Sequence, residues 1–368
     1  MQGLGTSTAA EAKEYFAALE EHTKTFVWGG PGDAAAIEMA FAPARVAERK
    51  AWLRAATAGT FLDPTMPRIP YADFINRELI LFSLADLTRS LPHAVDGLKP
   101  AQRKVLFCAF KRGLTTDVKV AQLAGYVGEH AAYHHGEASL NGTIVSLAQD
   151  YCGARNINLL VPSGQFGTRL AGGKDAASPR YIYTRLAPLA RALFPEADDG
   201  LLEYLEEDGQ RIEPRHFLPV LPLLLINGAD GIGTGWSTAV PGYNPRDVLA
   251  AVRAALDGAP LPAMHPWFRG FTGTVTALPP DETKASVGKG VVYAVDGVAE
   301  VLGDGRVLIT ELPAGTWTAD YRETLAALIR EGTVTSFRDY SSDARVRFEL
   351  AAAPLWPLTS APLSFKCS

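Results

Sequence analysis

The feature that most restricts the fold of this chain is a series of three short helical segments followed by a glycine-rich stretch. The first helix is predicted to begin at Pro100, which suits a first helical turn, and to end before Gly113. Two more helices are predicted over 117–129 and 135–151, and four glycines then fall within 161–174. Three helices followed by a β excursion are typical of a winged-helix domain.

The sequence pattern in the rest of the 368-residue chain predicts further helices and further β-rich segments. The expected fold class is therefore α+β. Additional helices are predicted over 8–22, 45–56, 71–90 and 185–194. The three prolines within 60–70 are typical of a linker. Short β-rich segments are 181–184, 291–294, 306–310 and 345–350, and those after Phe217 indicate a second, α/β domain.

Composition excludes two broad classes of protein. Apolar residues make up 47% of the chain and charged residues 20%, which excludes a chain that is disordered throughout. The longest apolar run, 217–226, contains two prolines and is much shorter than the roughly 18 residues that a membrane span needs. No apolar signal segment follows Met1, and the three cysteines are far apart, so we expect an intracellular protein without a membrane partner.

The net charge of −5 suggests, at first, that nucleic acid is not the partner. The charge is unevenly distributed, however, because residues 99–191 hold 12 basic and 5 acidic side chains, whereas residues 192–230 hold 2 basic and 9 acidic ones. A basic block of this size can neutralise several phosphates, although a solvated basic surface would have the same composition.

A tyrosine next to an arginine occurs in the sequence Ser178-Pro179-Arg180-Tyr181. A tyrosine hydroxyl has a pKa of about 10, so it is a nucleophile only where nearby cations favour the phenolate. Arg180 could supply such a field and also bind phosphate oxygens. A structural tyrosine beside a surface arginine is the alternative, and Tyr183 competes for the same role.

Adjacent histidines, His134 and His135, suggest either a metal ligand or a general base. Neighbouring side chains on a helix point in different directions and no third ligand has a suitable spacing, so no metal site is predicted in this chain. His135 could act as a general base or donate a hydrogen bond to a phosphoryl oxygen, and a structural role is the alternative.

The glycine-rich stretch 226–236 resembles a dinucleotide-binding loop only superficially. The third glycine of that fingerprint would fall at position 236, which is Trp236. We predict instead a glycine-rich turn that presents Ile232, which is a candidate wedge between base pairs, or a tight turn packed in the core.

Six motifs occur in order along the chain: DGLKPAQRKVL (96–106), KVAQLAG (119–125), YHHGE (133–137), GQFGTR (164–169), GGKDAASPRY (172–181) and INGADGIGTGWS (226–237). Together they resemble the breakage-reunion region of eukaryotic type IIA DNA topoisomerases, from about Gly3 to Tyr340. The resemblance implies a TOPRIM remnant with linker over 1–70, a winged-helix domain over 71–215, an incomplete α/β tower domain over 216–350, and a divergent tail over 351–368.

The resemblance also implies roles for individual residues. Tyr181 matches the tyrosine that attacks a DNA phosphodiester, Arg180 its supporting cation, and His135 a histidine near the scissile phosphate. Family members usually have Phe at the position of Tyr183, which argues against the competitor. Ile232 matches the isoleucine that intercalates and bends DNA. With the basic block, the predicted DNA-binding set is Lys99, Arg103, Lys104, Lys111, Arg169, Lys174 and Ile232.

Cofactors, partners and location are expected from the resemblance alone. The family cuts double-stranded DNA as a homodimer in the nucleus and uses Mg²⁺ and ATP, and we expect both to be bound by domains outside this chain. The sequence has no Glu-Gly-Asp-Ser segment and no Asp-x-Asp pattern. We therefore expect either part of an ATP-dependent type II topoisomerase or a fragment that only binds and bends DNA. A nucleotide-binding oxidoreductase is the third hypothesis, which the glycine spacing disfavours.

Overall fold

The computed structural model describes residues 7–278, 291–352 and 364–367. Its α-helices are α1 Ala9–Ala17, α2 Leu19–His22, α3 Pro31–Phe41, α4 Val46–Arg54, α5 Tyr71–Phe74, α6 Ile80–Ser90, α7 Pro100–Lys111, α8 Val120–His130, α9 Glu137–Ala148, α10 Pro188–Leu193, α11 Leu223–Asn227, α12 Pro245–Leu256 and α13 Thr318–Arg330. A π-helical turn, Ile75–Leu79, joins α5 to α6.

The strands are short and form several small sheets. They are β1 Thr25–Val27, β2 Arg68–Pro70, β3 Val118–Lys119, β4 Leu160–Ser163, β5 Tyr183–Leu186, β6 Tyr204–Glu207, β7 Gln210–Pro214, β8 Ala229–Gly233, β9 Trp236–Val240, β10 Thr274–Ala277, β11 Tyr293–Asp296, β12 Val298–Val301, β13 Val307–Glu311, β14 Val334–Asp339, β15 Phe348–Ala352 and β16 Ser364–Cys367. The larger sheets have the strand orders β3-β5-β4, β10-β11-β16 and β12-β13-β15-β14.

The helix boundaries follow from residues visible in the sequence. Pro100 occupies the first turn of α7, and Gly113, just beyond its end, has a φ of +57° that a side chain would disfavour. Thr8 and Glu11 form a capping box at the start of α1. The predicted helix over 8–22 is interrupted at Ala18, so it consists of α1 and α2. The predicted helices over 117–129, 135–151 and 185–194 are confirmed as α8, α9 and the shorter α10.

The predicted winged-helix order is confirmed. Helices α7, α8 and α9 share one apolar core, in which Leu106, Leu123 and Ile144 are almost completely buried. Strands β4 and β5 follow α9 and form an antiparallel sheet with β3, which lies between α7 and α8. Thr184 on β5 is opposite both Val118 and Pro162. Each fully buried Leu or Ile stabilises the fold by about 1.5–3 kcal/mol, so this core fixes the positions of the loops between its elements.

A second apolar core lies between the β12-β13-β15-β14 sheet and α13. Ile309 on β13, Phe348 on β15 and Tyr321 on α13 are its largest buried side chains, and the rings of Tyr321 and Phe348 meet edge to face at 5.4 Å between centroids. The β-rich segments predicted over 306–310 and 345–350 are confirmed as β13 and β15. This α/β arrangement agrees with the predicted second domain type.

The chain divides into two compact units, Met1–Pro92 with Asp230–Ala239, and His93–Ala229 with Val240–Ser368. In the first unit, the buried carboxylate of Asp33 accepts hydrogen bonds from the backbone N–H groups of Gly29, at 2.6 Å, and Ala72, at 2.9 Å. These hydrogen bonds hold the pKa of Asp33 below its usual value. The domain boundaries proposed at 70, 215 and 350 stay predictions.

The proline-rich segment 60–70 and the divergent tail both contribute strands. The segment 60–70 is more than a linker, because it ends in β2, which pairs in parallel with β1. The tail contributes β16, which pairs with β11, whereas residues 353–363 and 368 lie outside the described residues, as do residues 1–6 of the proposed TOPRIM remnant. No helix in the described ranges is long and apolar enough to cross a membrane.

Candidate functional site

Tyr181 lies at the end of a tight turn, shortly before β5, and 72% of it is exposed. Its backbone N–H donates to the carbonyl of Ser178 at 2.9 Å, which closes the turn Ser178–Tyr181 (called the tyrosine turn below). Pro179 fixes one backbone angle inside this turn. The β-rich segment predicted over 181–184 is confirmed in its second half only, since β5 begins at Tyr183 and leaves Tyr181 in the turn before it.

The tyrosine turn is attached to the start of α8. The backbone N–H groups of Val120 and Ala121, which have no partner within their own helix, donate to the carbonyls of Ile182, at 3.0 Å, and Pro179, at 3.1 Å. The side chain of Ile182 is 1% exposed and belongs to the winged-helix core. The backbone on both sides of Tyr181 is therefore fixed, while its ring projects into solvent.

Two cations accompany this ring in the sequence and are also exposed. The side chains of Arg180 and Lys174 make no hydrogen bond or ion pair with any described residue. Cations without carboxylate partners are available to an anion such as a phosphate. Tyr183 is 39% exposed and lies on β5 opposite Lys119, so its backbone is held by the sheet.

His135 lies in the connection between α8 and α9, directly before Gly136, whose φ is +83°. It is exposed, and its ring meets the ring of Tyr133 edge to face at 5.6 Å between centroids. The neighbouring His134 has a different partner, because its Nε2 atom lies 2.8 Å from Glu207. Within the described residues, no group of three or more His, Cys, Asp or Glu side chains could hold a metal ion.

The glycine-rich stretch that leads to the tyrosine turn is a compact loop, residues 164–177 (the glycine loop). Gly167 and Gly173 approach so closely that a Cβ atom on Gly167 would lie 2.5 Å from the Cα atom of Gly173. The carboxylate of Asp175 accepts hydrogen bonds from the backbone N–H of Thr168, at 2.8 Å, and its hydroxyl, at 2.6 Å. Burial raises the pKa of Asp175, but these hydrogen bonds together lower it by more, so the net shift is downward.

Arg169, predicted to contact DNA, points into the protein and is 7% exposed. Its guanidinium forms an ion pair with Glu311 and donates to the carbonyl of Leu312 at 2.8 Å. A phosphate could reach this group only if the ion pair opened and left a buried carboxylate without a partner. The placement therefore does not support the predicted DNA contact of Arg169.

Arg103 is buried in a similar way. It donates from Nε to Asp96 at 2.8 Å and from Nη2 to the same carboxylate at 3.1 Å, and also to the carbonyl of Leu98. Asp96 is completely buried and accepts a further hydrogen bond from the backbone N–H of Phe217 at 2.9 Å. These contacts assign Arg103 to the fold and do not support its predicted DNA contact.

The three predicted lysines at α7 differ in accessibility. Lys104 is mostly buried, and its ammonium group lies 2.9 Å from the buried carboxylate of Glu213, so it is unlike a free phosphate ligand. Lys99 precedes α7 and is partly exposed. Lys111 is exposed at the other end of α7, with its ammonium group 5.7 Å from the ring centre of Phe107. Lys99 and Lys111 therefore remain accessible to DNA.

Ile232 belongs to the first compact unit, on β8, and 84% of it is exposed. This exposure rules out the alternative in which the side chain is packed in the core. The neighbouring glycines lie against α6: a Cβ atom on Gly231 would lie 2.6 Å from the carbonyl oxygen of Ser90, and one on Gly233 would lie 2.8 Å from the side chain of Leu87. The glycines let the β8–β9 pair approach the helix while Ile232 points away into solvent.

Three buried carboxylates that pair with the predicted basic residues were not predicted from the sequence. Asp96, Glu213 and Glu311 are each 3% exposed or less and neutralise Arg103, Lys104 and Arg169 respectively. The only sequence signal was the position of Asp96 seven residues before Arg103. The other two partners are more than 100 residues away in sequence.

These features define a winged-helix protein with an exposed tyrosine in a fixed turn, and comparison with known proteins agrees. A sequence profile for the A subunit of DNA gyrase/topoisomerase IV matches residues 89–355, and one for the C-terminal associated domain of TOPRIM matches residues 1–87. The first match covers more than half of the chain, which therefore belongs to the family of DNA gyrase/topoisomerase IV A subunits.

Individual relatives are DNA topoisomerase 2 proteins of eukaryotes. The chain is 51% identical to DNA topoisomerase 2 of Arabidopsis thaliana over 352 residues, which is 95% of this chain and 24% of that protein. It is 51% identical to the Saccharomyces cerevisiae protein over 88% of this chain and 22% of that one. The chain thus spans about a quarter of the length of these curated relatives.

A solved structure gives the same result for the fold. The chain superposes with a TM-score of 0.81, at 42% identity, on a crystal structure of the Plasmodium falciparum topoisomerase II DNA-binding, cleavage and re-ligation domain. The match covers 96% of this chain and 47% of that chain.

Proposed function

We propose that this chain is the DNA-cleaving and religating part of a type II DNA topoisomerase and that Tyr181 is its nucleophile. The observation that carries the proposal is the tyrosine turn, in which a 72% exposed phenol stands on backbone fixed by two helix N–H groups. The similarity to the cleavage and re-ligation domain of Plasmodium topoisomerase II supports the proposal.

The proposed reaction is a transesterification. The Oη atom of Tyr181 loses its proton and bonds to the phosphorus of a DNA phosphodiester, and the bond from phosphorus to the 3′ oxygen breaks. The 3′ oxygen takes up a proton and becomes a hydroxyl, while the 5′ end stays attached to the tyrosine. One ester replaces another, so the reverse attack by the 3′ hydroxyl reseals the strand without further activation.

The charged neighbours supply what this reaction needs. A phenol with a pKa of about 10 requires nearby positive charge to react as phenolate near neutral pH. Arg180 is next to the tyrosine in sequence and Lys174 lies in the glycine loop before it; both are exposed cations that could neutralise the phosphate as charge develops. We assign His135 the role of a hydrogen-bond donor or general base toward the phosphoryl group.

We propose that DNA is bound by those residues of the predicted DNA-binding set whose side chains are accessible to solvent. Lys99, Lys111 and Lys174 would neutralise phosphates, which makes the affinity strongly dependent on salt. Ile232, 84% exposed on β8, would insert between base pairs and help to offset the roughly 1–10 kcal/mol needed to bend the duplex.

The complete enzyme is proposed to be a nuclear homodimer that passes one duplex through another and relaxes supercoils. Magnesium and ATP are proposed to bind outside the residues of this chain. Among the described residues, no group of three or more His, Cys, Asp or Glu side chains is arranged to hold a metal ion.

A covalent-trapping experiment tests the proposal. The chain is incubated with Mg²⁺, labelled duplex DNA and a separately supplied TOPRIM part of a eukaryotic DNA topoisomerase 2, and then denatured and digested. We expect label on the peptide that contains Tyr181, no label with Tyr181→Phe, and normal labelling with the matched variant Tyr183→Phe. An adduct that persists in Tyr181→Phe contradicts the assignment.

The second candidate is a fragment that binds and bends DNA without cutting it. The exposure of Ile232 favours it, because a wedge needs no nucleophile. This candidate predicts a salt-sensitive gel shift and DNA bending with no strand cleavage at any magnesium concentration. Cleavage that depends on Tyr181 would eliminate it.

A further inference from the structure

The glycine loop, residues 164–177, packs against the segment that joins β13 to α13. Leu312 and Trp317 lie in this segment, and Glu311 is the last residue of β13 directly before it. Leu312 belongs to the second apolar core and not to the winged-helix core. Both partners lie in the second compact unit. The loop that precedes Tyr181 is therefore held by two different cores of the same unit.

The central contact is the ion pair between Arg169 and Glu311, whose side chains are 9% and 4% exposed. Glu311 also accepts hydrogen bonds from the backbone N–H of Thr272, at 3.1 Å, and its hydroxyl, at 2.9 Å, and from the N–H of Leu312, at 3.0 Å. Arg169 donates to the carbonyl of Leu312 at 2.8 Å. Further hydrogen bonds hold both partners of the pair, which restricts the positions that the two side chains can adopt.

Backbone and ring contacts extend this attachment along the loop. The N–H of Ala319, in the first turn of α13, donates to the carbonyl of Leu170 at 2.9 Å. The indole of Trp317 lies directly over Gly172, where a Cβ atom would overlap it, and meets the ring of Tyr151 edge to face at 5.8 Å. Glycine at 172 is thus required for the loop to reach Trp317.

The attachment is transmitted to the tyrosine turn over a short stretch of chain. Gly173 donates to the carbonyl of Thr168 at 2.9 Å, and Ala177 donates to the carbonyl of Gln165 at 2.9 Å. The tyrosine turn begins at the next residue, Ser178. Movement at Arg169 would therefore change the direction in which the chain enters the turn.

We propose that the Arg169–Glu311 ion pair sets the position of the tyrosine turn, so that both are positioning residues for the reaction of Tyr181. The inference rests on the proposed function. It reassigns Arg169 from a DNA ligand to a link between the β13–α13 segment and the nucleophile. A displacement of about 1 Å at a reacting group lowers rates by up to about 100-fold. Loss of the Arg169–Glu311 ion pair is therefore expected to slow the reaction of Tyr181 strongly.

The test compares Glu311→Gln with the control Glu349→Gln. Glu349 lies on the adjacent strand β15, its side chain is 13% exposed, and it pairs with Arg306 and Arg347, away from the glycine loop. Three quantities are measured for each variant: amide hydrogen exchange over 168–181, the Kd for DNA, and the rate of covalent adduct formation at saturating DNA with Mg²⁺ and the separate TOPRIM part.

We expect Glu311→Gln to speed exchange over 168–181 and to lower the adduct rate about 10–100-fold with an unchanged Kd. Glu349→Gln should change none of the three quantities, even where its loss of thermal stability is similar. Arg169→Lys, which keeps the charge, should retain more of the adduct rate than Arg169→Met.

Two results would overturn the inference. One is exchange over 168–181 that is the same in Glu311→Gln and Glu349→Gln. The other is an adduct rate that falls equally in both variants, or only in proportion to a weaker Kd. If the unmodified chain forms no adduct at Tyr181 when Mg²⁺ and the separate TOPRIM part are supplied, the proposed function fails. The exchange comparison still decides whether the ion pair holds the turn.

Discussion

Replacing Arg103 by methionine separates a structural role of this residue from a DNA-binding one. In the structure, its guanidinium makes two hydrogen bonds to the Asp96 carboxylate, at 2.8 and 3.1 Å, and one to the carbonyl of Leu98, at 2.9 Å. Arg103 is 5% exposed and Asp96 is completely buried. Methionine fills a similar volume but supplies no charge and no donor.

The expected loss of stability follows from this burial. Removing one partner of a buried ion pair costs about 3–5 kcal/mol, because the other charge stays buried without compensation. Asp96 keeps two backbone donors, Leu98 and Phe217, so we expect the lower part of this range, about 3–4 kcal/mol. One kcal/mol shifts the midpoint of a domain of 150–250 residues by about 2–4 °C, so the Tm should fall by about 6–16 °C.

The assay combines thermal unfolding with the salt dependence of DNA binding. Loss of one phosphate contact lowers the slope of log K against log salt by about 0.9. We expect an unchanged slope for Arg103→Met at a temperature where it is folded. The control Lys111→Met, on the exposed end of the same helix, should lose about 0.9 of slope and change the unfolding free energy by less than about 0.5 kcal/mol. A lower slope with an unchanged Tm in Arg103→Met would refute the reasoning.

Three further changes test other parts of the molecule. Ile232→Ala should leave the free energy of unfolding within about 0.5 kcal/mol, since the side chain is 84% exposed, but should reduce DNA bending measured by energy transfer between the duplex ends. Gly173→Ala should destabilise the protein more than Gly209→Ala in urea unfolding: both have positive φ, but only at Gly173 would a Cβ atom overlap neighbouring side chains. Because the pKa of Asp175 is lowered on folding, this carboxylate stabilises the protein above its unfolded pKa of about 3.9, and the stabilisation is lost as the pH falls through the lower folded pKa. Asp175→Asn should therefore make the fall in Tm at acid pH less steep, measured by thermal unfolding at a series of pH values.

Local features of the sequence predicted the elements of the winged-helix domain well. Pro100 and Gly113 bounded α7 correctly, because proline suits a first helical turn and glycine suits the left-handed conformation after the last one. The exposure of Ile232 was also predicted as one of two alternatives, since glycines on both sides allow close approach of the backbone and leave the isoleucine outside.

The accessibility of the basic residues was not predictable in the same way. The positive charge of residues 99–191 is a property of composition, and it made Arg103, Lys104 and Arg169 look equivalent to Lys111 and Lys174. Their difference depends on carboxylates distant in sequence, such as Glu213 for Lys104 and Glu311 for Arg169. Separations of more than 100 residues have no periodic signal in a single sequence.

The sequence by itself determined the family, the fold class and the identity of the candidate nucleophile, because ordered motifs and turn-forming residues act locally along the chain. The tertiary structure alone decided which cations face solvent and which neutralise a buried carboxylate. The physical reason is the cost of burying charge: a guanidinium such as that of Arg169 enters the interior only where folding brings a carboxylate to it. The same pairing connects the tyrosine turn to a second core that no local pattern linked to Tyr181.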